Sequence, residues 1–269
     1  MTPRPLQALA ETLHVPFIEE RAAVREWIAL RRDPLLRGEG VPHGSGEPVV
    51  VVGGFGATDT FMGPLRSWLE RIGYAPTLAC HARGLDCGER SAGRLERTVE
   101  CVADETGDRP RLLAHSRGGQ FARVTAFRRP DLVGGLVTLG TPFEHFGLAT
   151  PVRIQAAALG IAGTLGAPNL VRFGCLRGAC CVGFRRDLAQ PLDPSVPFTS
   201  IYSSEDRTVR WRTCIDAGAR NVDIGGTHGS MLASAASYRA IAAALHDTRR
   251  EAPDAQRNSD AIHERALTD

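Results

Sequence analysis

The chain has 269 residues, 43% of them hydrophobic and 23% charged, and a formal net charge of +2 at pH 7. That length suits one large domain with ample core, and the near-neutral balance excludes a surface built to grip nucleic acid or another polyanion. All 32 basic residues are arginines spread over the whole length, so the bias carries no functional assignment.

No early segment combines a basic start, an apolar core and a small-residue cleavage site, and no apolar run reaches the length of a membrane span. A cytoplasmic protein is therefore expected. Its seven cysteines (Cys80, Cys87, Cys101, Cys175, Cys180, Cys181 and Cys214) are odd in number and contain no Cys-x-x-Cys pair. Reduced thiols follow from that count, with any disulfide falling among Cys175, Cys180, Cys181 and Cys214. Their spacing matches no usual zinc pattern, so neither metal nor cofactor is expected.

In chain order, residues 15 to 31 read as an amphipathic helix with Phe17, Val24, Trp27, Ile28 and Leu30 towards one side. Residues 1–47 form this helix and a Gly/Pro-rich connector that packs on the core, which occupies 48–248. Val49 to Val52 is an unbroken β-branched run, the mark of a strand covered on both faces. Gly53-Gly54-Phe55-Gly56 follows, then a helix bearing Phe61, Leu65, Trp68, Leu69 and Ile72, closed by Gly73. Tyr74 to Ala79 reads as the next strand, and Leu95, Val99 and Val102 mark a helix stopped at Gly107.

The stretch Leu112-Leu-Ala-His-Ser-Arg-Gly-Gly119 organises the rest. An apolar strand runs into Ser116, and Arg117-Gly118-Gly119-Gln120 opens a helix, so the serine sits on a tight strand-to-helix bend. Backbone at the bend comes close to the neighbouring strand and helix, and a Cβ at 118 or 119 would collide. Leu136 to Leu139 is a further strand, ending at Gly140-Thr141-Pro142. The alternation then stops. Residues 143–197 form an Ala/Gly/Leu-rich helical insertion over the sheet end, whose apolar residues, Leu159 and Leu165 among them, are expected to wall a ligand site. Strands return at Phe198 to Ser203 and Asn221 to Ile224. A helix with Tyr238, Ile241, Ala242 and Leu245 on its buried side closes the domain, and residues 249–269 form a disordered tail. Strands alternating with helices at this spacing predict an α/β fold with a mostly parallel sheet, helices on both faces, and function at the carboxyl ends of the strands.

A serine hydroxyl needs a base in reach and a group that orients the base. Asp206 lies just past the strand that begins at Phe198, and His228 just past the last strand. The order Ser116, Asp206, His228, each after a different strand, supplies nucleophile, acid and base. Glu205 and Asp223 are rivals for the acid, Asp223 the weaker because it sits inside a strand. His81, His115, His246 and His263 fit the base worse by position. Two fixed donors are needed for the developing oxyanion, and the backbone N–H groups of Phe55 and Arg117 are the ones these loops offer.

Four segments together resemble the α/β-hydrolase superfamily, in its bacterial triacylglycerol lipase and esterase-like branch. They are Val52-Gly-Gly-Phe-Gly56, Ala114-His-Ser-Arg-Gly-Gly119, Ile201-Tyr-Ser-Ser-Glu-Asp-Arg-Thr-Val209 and Thr227-His-Gly-Ser-Met231. The match spans roughly Pro48 to Leu245. It departs at Gly53, where relatives often carry histidine, at Ala114, where glycine is usual, and at Arg207-Thr208, where a smaller pair is common. The resemblance implies an α/β-hydrolase fold with a cap insertion and hydrolysis of a small-molecule or lipid-like ester through an acyl-serine, without a cofactor. The alternatives are an acyltransferase using the same three residues and a non-catalytic binding protein of the same fold.

Overall fold

Valines 49 to 52 form the strand that the sequence implies, and its burial pattern explains the absence of alternation. β1 (Pro48–Val52) is buried at every position. Val50 and Val52 point into one apolar cluster, and Val49 and Val51 into another on the opposite face, as the two-residue period of a strand requires. A computed structural model describes residues 21–247 apart from Ala22, His145 and Phe146. Phe17, the first turn of the expected N-terminal helix and the expected tail from Arg249 lie outside the described residues.

The described elements follow in order. A helix at 23–30 (α1) is followed by a 3-10 turn at Pro34–Arg37, β1, α2 (Asp59–Arg71), β2 (Ala75–Leu78), α3 (Gly88–Thr106) and β3 (Arg111–His115). Then come α4 (Arg117–Arg128), β4 (Gly135–Leu139), the insertion helices α5 (Thr150–Thr164), α6 (Phe173–Arg177) and α7 (Val182–Leu188), β5 (Phe198–Tyr202), β6 (Arg220–Asp223) and a helix at 235–247 (α8). The six strands form one parallel sheet in the order β2-β1-β3-β4-β5-β6. Four of the five returns between strands run through α-helices and the β5–β6 return through a 3-10 turn at Trp211–Cys214, and because all pairs are parallel the carboxyl ends share one edge.

α2, α8 and Leu30 of α1 cover one face, where Trp68 and Tyr238 pack with ring centroids 4.6 Å apart. α3, α4 and the insertion cover the other, around Leu95, Val99, Leu112, Phe121 and Phe184. Of the N-terminal helix residues predicted to pack, Leu30 is buried, but Val24 and Ile28 are exposed. The stop at Gly107 is met by a left-handed residue at φ 71°, a conformation glycine adopts without a Cβ clash.

Two arginines fasten the end of the insertion to the body. Arg128 of α4 pairs with Asp187 of α7 at 2.8 Å and with Glu89 and Glu96 of α3 at 2.7 and 3.3 Å. Arg123, 3% exposed at its side chain, pairs with Asp216 at 2.8 Å and donates to the carbonyls of Leu188 and Gln190. Its guanidinium lies over the rings of Phe143 and Phe198. A buried cation stays in place only when so many partners replace its water.

Candidate active site

Ser116 stands between β3 and α4 with φ 54° and ψ −128°, a conformation that costs a non-glycine residue about 1–3 kcal/mol and survives only where the surroundings impose it. The surroundings do so here. Its amide donates to the Leu139 carbonyl at 2.8 Å, and its carbonyl accepts from the Thr141 hydroxyl at 2.9 Å. The glycines leave the room expected of them. A Cβ on Gly118 would lie 2.6 Å from the Gly53 carbonyl oxygen, and one on Gly119 would lie 2.0 Å from Oγ1 of Thr141. A Cβ on Gly54 would lie 2.9 Å from Cβ of Ser116, so the loop after β1 passes directly against the serine.

Nε2 of His228 lies 2.9 Å from Oγ of Ser116, and Nδ1 lies 2.7 Å from Oδ2 of Asp206. All three residues are buried. The other carboxylate oxygen of Asp206 accepts from the amides of Thr208 and Val209, each at 2.8 Å. That bonding fixes the carboxylate plane and turns Oδ2 towards the ring. An acceptor at Nδ1 places the ring proton there and leaves the Nε2 lone pair facing the hydroxyl. His228 itself opens the 3-10 turn Gly229–Leu232, after Gly225 and Gly226 at φ 66° and 81°. Across from it, Gly140 (φ 53°) packs closely, since a Cβ would lie 2.9 Å from Sδ of Met231 and 3.1 Å from Nδ1 of His228.

The structure thus brings Ser116, Asp206 and His228 into one hydrogen-bonded chain and leaves their rivals out of it. Asp223 accepts from the amides of Ser204 and Gly225, and Glu205 from that of Gly226, so both close the turns beside the site. Phe55, Ser116 and Arg117 all line the same cavity, and among the described residues neither the Phe55 nor the Arg117 amide donates to a backbone carbonyl. His115 lies closer than its position in the chain implies, its ring centroid 4.9 Å from that of His228. Its Nε2 is buried with no partner among the described residues. Burial, and then the neighbouring His228, pull its pKa down to about 3, so the ring stays neutral.

Above these residues opens a cavity of about 800 Å³, whose apolar wall includes Phe55, Phe61, Leu65, Leu148, Val152 and Leu232. The insertion contributes to it through Leu148, but not through Leu159 or Leu165. Leu159 packs against the core cluster on the α3/α4 face, and Leu165 is 84% exposed. The early turns of α5 supply Val152, Gln155 and Ala156 instead. An evenly apolar helix does not disclose which of its sides meets the cavity.

The cysteines also regroup. Cys214, expected near the cluster, is buried apart from it, where its carbonyl accepts from Ser200. Cys87, at the N-terminus of α3, joins Cys175, Cys180 and Cys181 so that the four sulfurs lie within 4.8 Å of one another. No spacing rule reaches across a separation of 93 positions, from Cys87 to Cys180. No described helix is long and apolar enough to cross a membrane.

No protein family model matches the chain. Structures of similar shape include a metagenomic carboxyl esterase, 16% identical over 78% of this chain and 76% of that one, with a TM-score of 0.56. A monoacylglycerol lipase from Paleococcus ferrophilus is 16% identical over 77% of this chain and 97% of that one, with a TM-score of 0.53. The mature form of a Bacillus licheniformis lipase is 16% identical over 72% and 89%, with a TM-score of 0.52. At such identities the likeness is one of fold.

Proposed function

We propose that this chain, an α/β-hydrolase by fold, is a serine carboxylic-ester hydrolase. The observation that carries the reading is the continuous hydrogen-bonded chain from Asp206 through His228 to Ser116 at the floor of an apolar cavity. Oγ of Ser116 attacks the ester carbonyl carbon while Nε2 of His228 takes the hydroxyl proton. Asp206 holds the ring in the receptive tautomer and stabilises its charged form. The amides of Phe55 and Arg117 bind the oxyanion, where fixed donors in a dry site act more strongly than they would in water. The C–O bond to the leaving alcohol then breaks, and the alcohol departs with the proton from Nε2. Water, deprotonated by the same nitrogen, releases the acid and restores Ser116.

The cavity points to a lipid-like or other small apolar ester, since each further methylene buried adds up to about 0.8 kcal/mol of binding. A fluorophosphonate probe followed by intact-mass measurement tests the nucleophile. One adduct is expected on the wild type and none on Ser116→Ala, and equal labelling of both would remove the reading. Hydrolysis of a p-nitrophenyl ester series should favour medium over acetyl chains, and product analysis with added alcohol separates hydrolysis from acyl transfer.

A further inference from the structure

The four-cysteine cluster lies outside the cavity and takes no part in ester cleavage. Its sulfur–sulfur distances are 3.4 Å for Cys87–Cys181, 3.5 Å for Cys175–Cys180 and 3.6 Å for Cys87–Cys180. A disulfide needs about 2.05 Å, so none of these pairs is bonded. Four thiolates around a tetrahedral zinc at about 2.3 Å stand about 3.8 Å from one another, which is the scale of the observed set.

The surroundings offer an independent argument. Arg90 and Arg94 both pair with the buried Asp86, the residue before Cys87. Arg117 donates to the Asp86 carbonyl, and its Nε is buried with no partner among the described residues. Arg185 donates to the carbonyls of Cys175 and Gly178. Glu89, the other nearby carboxylate, faces Arg128. Arg90 and Arg94 thus converge on the Asp86 carboxylate, Arg117 on the Asp86 carbonyl and Arg185 on the Cys175 carbonyl. Four guanidinium groups meet the backbone and side chains beside the thiols with Asp86 as the one carboxylate among them, a surplus of positive charge that neutral thiols do not answer. A zinc tetrathiolate carries two negative charges and does answer it.

We infer that Cys87, Cys175, Cys180 and Cys181 form a structural zinc site that ties the cap insertion to the N-terminus of α3. With four cysteine ligands the coordination is closed, leaving no position for substrate. Binding is balanced as one Zn²⁺ and four thiols giving a zinc tetrathiolate dianion and four protons.

The test uses the full chain, produced with zinc in the medium and purified without chelator. Elemental analysis should find about one zinc per chain. Cys180→Ser should lose most of it, while Cys101→Ser, at an exposed cysteine outside the cluster, keeps it. Because a ligand variant can lose its fold, a second measurement uses wild-type protein alone. Replacement of the metal by Co²⁺ should give the intense visible bands of a tetrahedral tetrathiolate, and a mercurial should release zinc as the thiols react. Absence of zinc, zinc retained in Cys180→Ser, iron in its place, or a denaturing thiol titration with chelator finding two thiols fewer than the seven in the sequence would each overturn the site.

Discussion

Replacing Asp206 with Asn changes one atom and, by the geometry of the site, reverses a proton. Oδ1 of Asp206 accepts from two amides, Thr208 and Val209, so the amide oxygen of an asparagine takes that side and its NH₂ faces His228. Two donors cannot share the 2.7 Å now spanned from Nδ1 to Oδ2. His228 must then carry its proton on Nε2, which points a donor at the Ser116 hydroxyl and removes the base. The same change in the serine-protease precedent costs about 10⁴ in turnover, or about 5.4 kcal/mol of transition-state stabilisation. The assay is kcat/KM on a p-nitrophenyl ester, with circular dichroism to confirm the fold and Asp223→Asn as the control. Asp223 only closes a turn, and its loss should change the rate less than about threefold, a backbone-bond effect of about 0.5 kcal/mol. An Asp206→Asn enzyme keeping more than a tenth of the activity, or a larger loss from Asp223→Asn, would refute the reasoning.

Gly119→Ala must push Thr141 aside and break its bond to the Ser116 carbonyl, so urea unfolding should show a loss of about 1–3 kcal/mol. Gly174→Ala, where a Cβ meets nothing, should be nearly neutral. His115 has a folded pKa of about 3 against about 6.5 unfolded. Between those values the unfolded chain binds the extra proton, so stability falls with falling pH, by up to about 1.4 kcal/mol per pH unit from this one group. His115→Asn should make the acid limb of the stability–pH curve shallower by that slope, and an unchanged limb would contradict a buried neutral ring. Val152→Glu should lower kcat/KM for longer esters while sparing acetate, and the exposed Leu165→Glu should do neither; equal effects would misplace the cavity wall.

How much of this was legible in the sequence depends on the range over which each feature is determined. The valine run, the Gly73 and Gly107 stops and the bend at Ser116 are local, set by backbone sterics and side-chain shape, and they could be read directly. The grouping of Ser116, Asp206 and His228 is long-range, yet it was readable because parallel strands send all their carboxyl ends to one edge. The orientation of α5 was not. Its apolar residues are spread around the axis, so only packing decides that Val152 faces the cavity while Leu159 faces the core. The exchange of Cys214 for Cys87 was equally hidden, since it depends on where the insertion lands on α3. Asp223 could be set aside because it ends β6, but Glu205 shares its connection with Asp206 and differs in which way the turn aims it.

The clasp of Arg123 and Arg128 divides the insertion into two halves that a protease would tell apart. α7 is pinned through Asp187 and the Leu188 and Gln190 carbonyls, whereas the connection from Leu165 to Arg172 is largely exposed and ends beside a lone buried valine, Val171. Local opening is cheapest where few buried contacts must be broken. The chain contains no lysine, so trypsin reads arginines alone, and Arg172 is the one on that stretch. A first nick there would leave two fragments that stay together on a gel filtration column, because the strands on either side of the cut, β4 and β5, remain paired in the sheet.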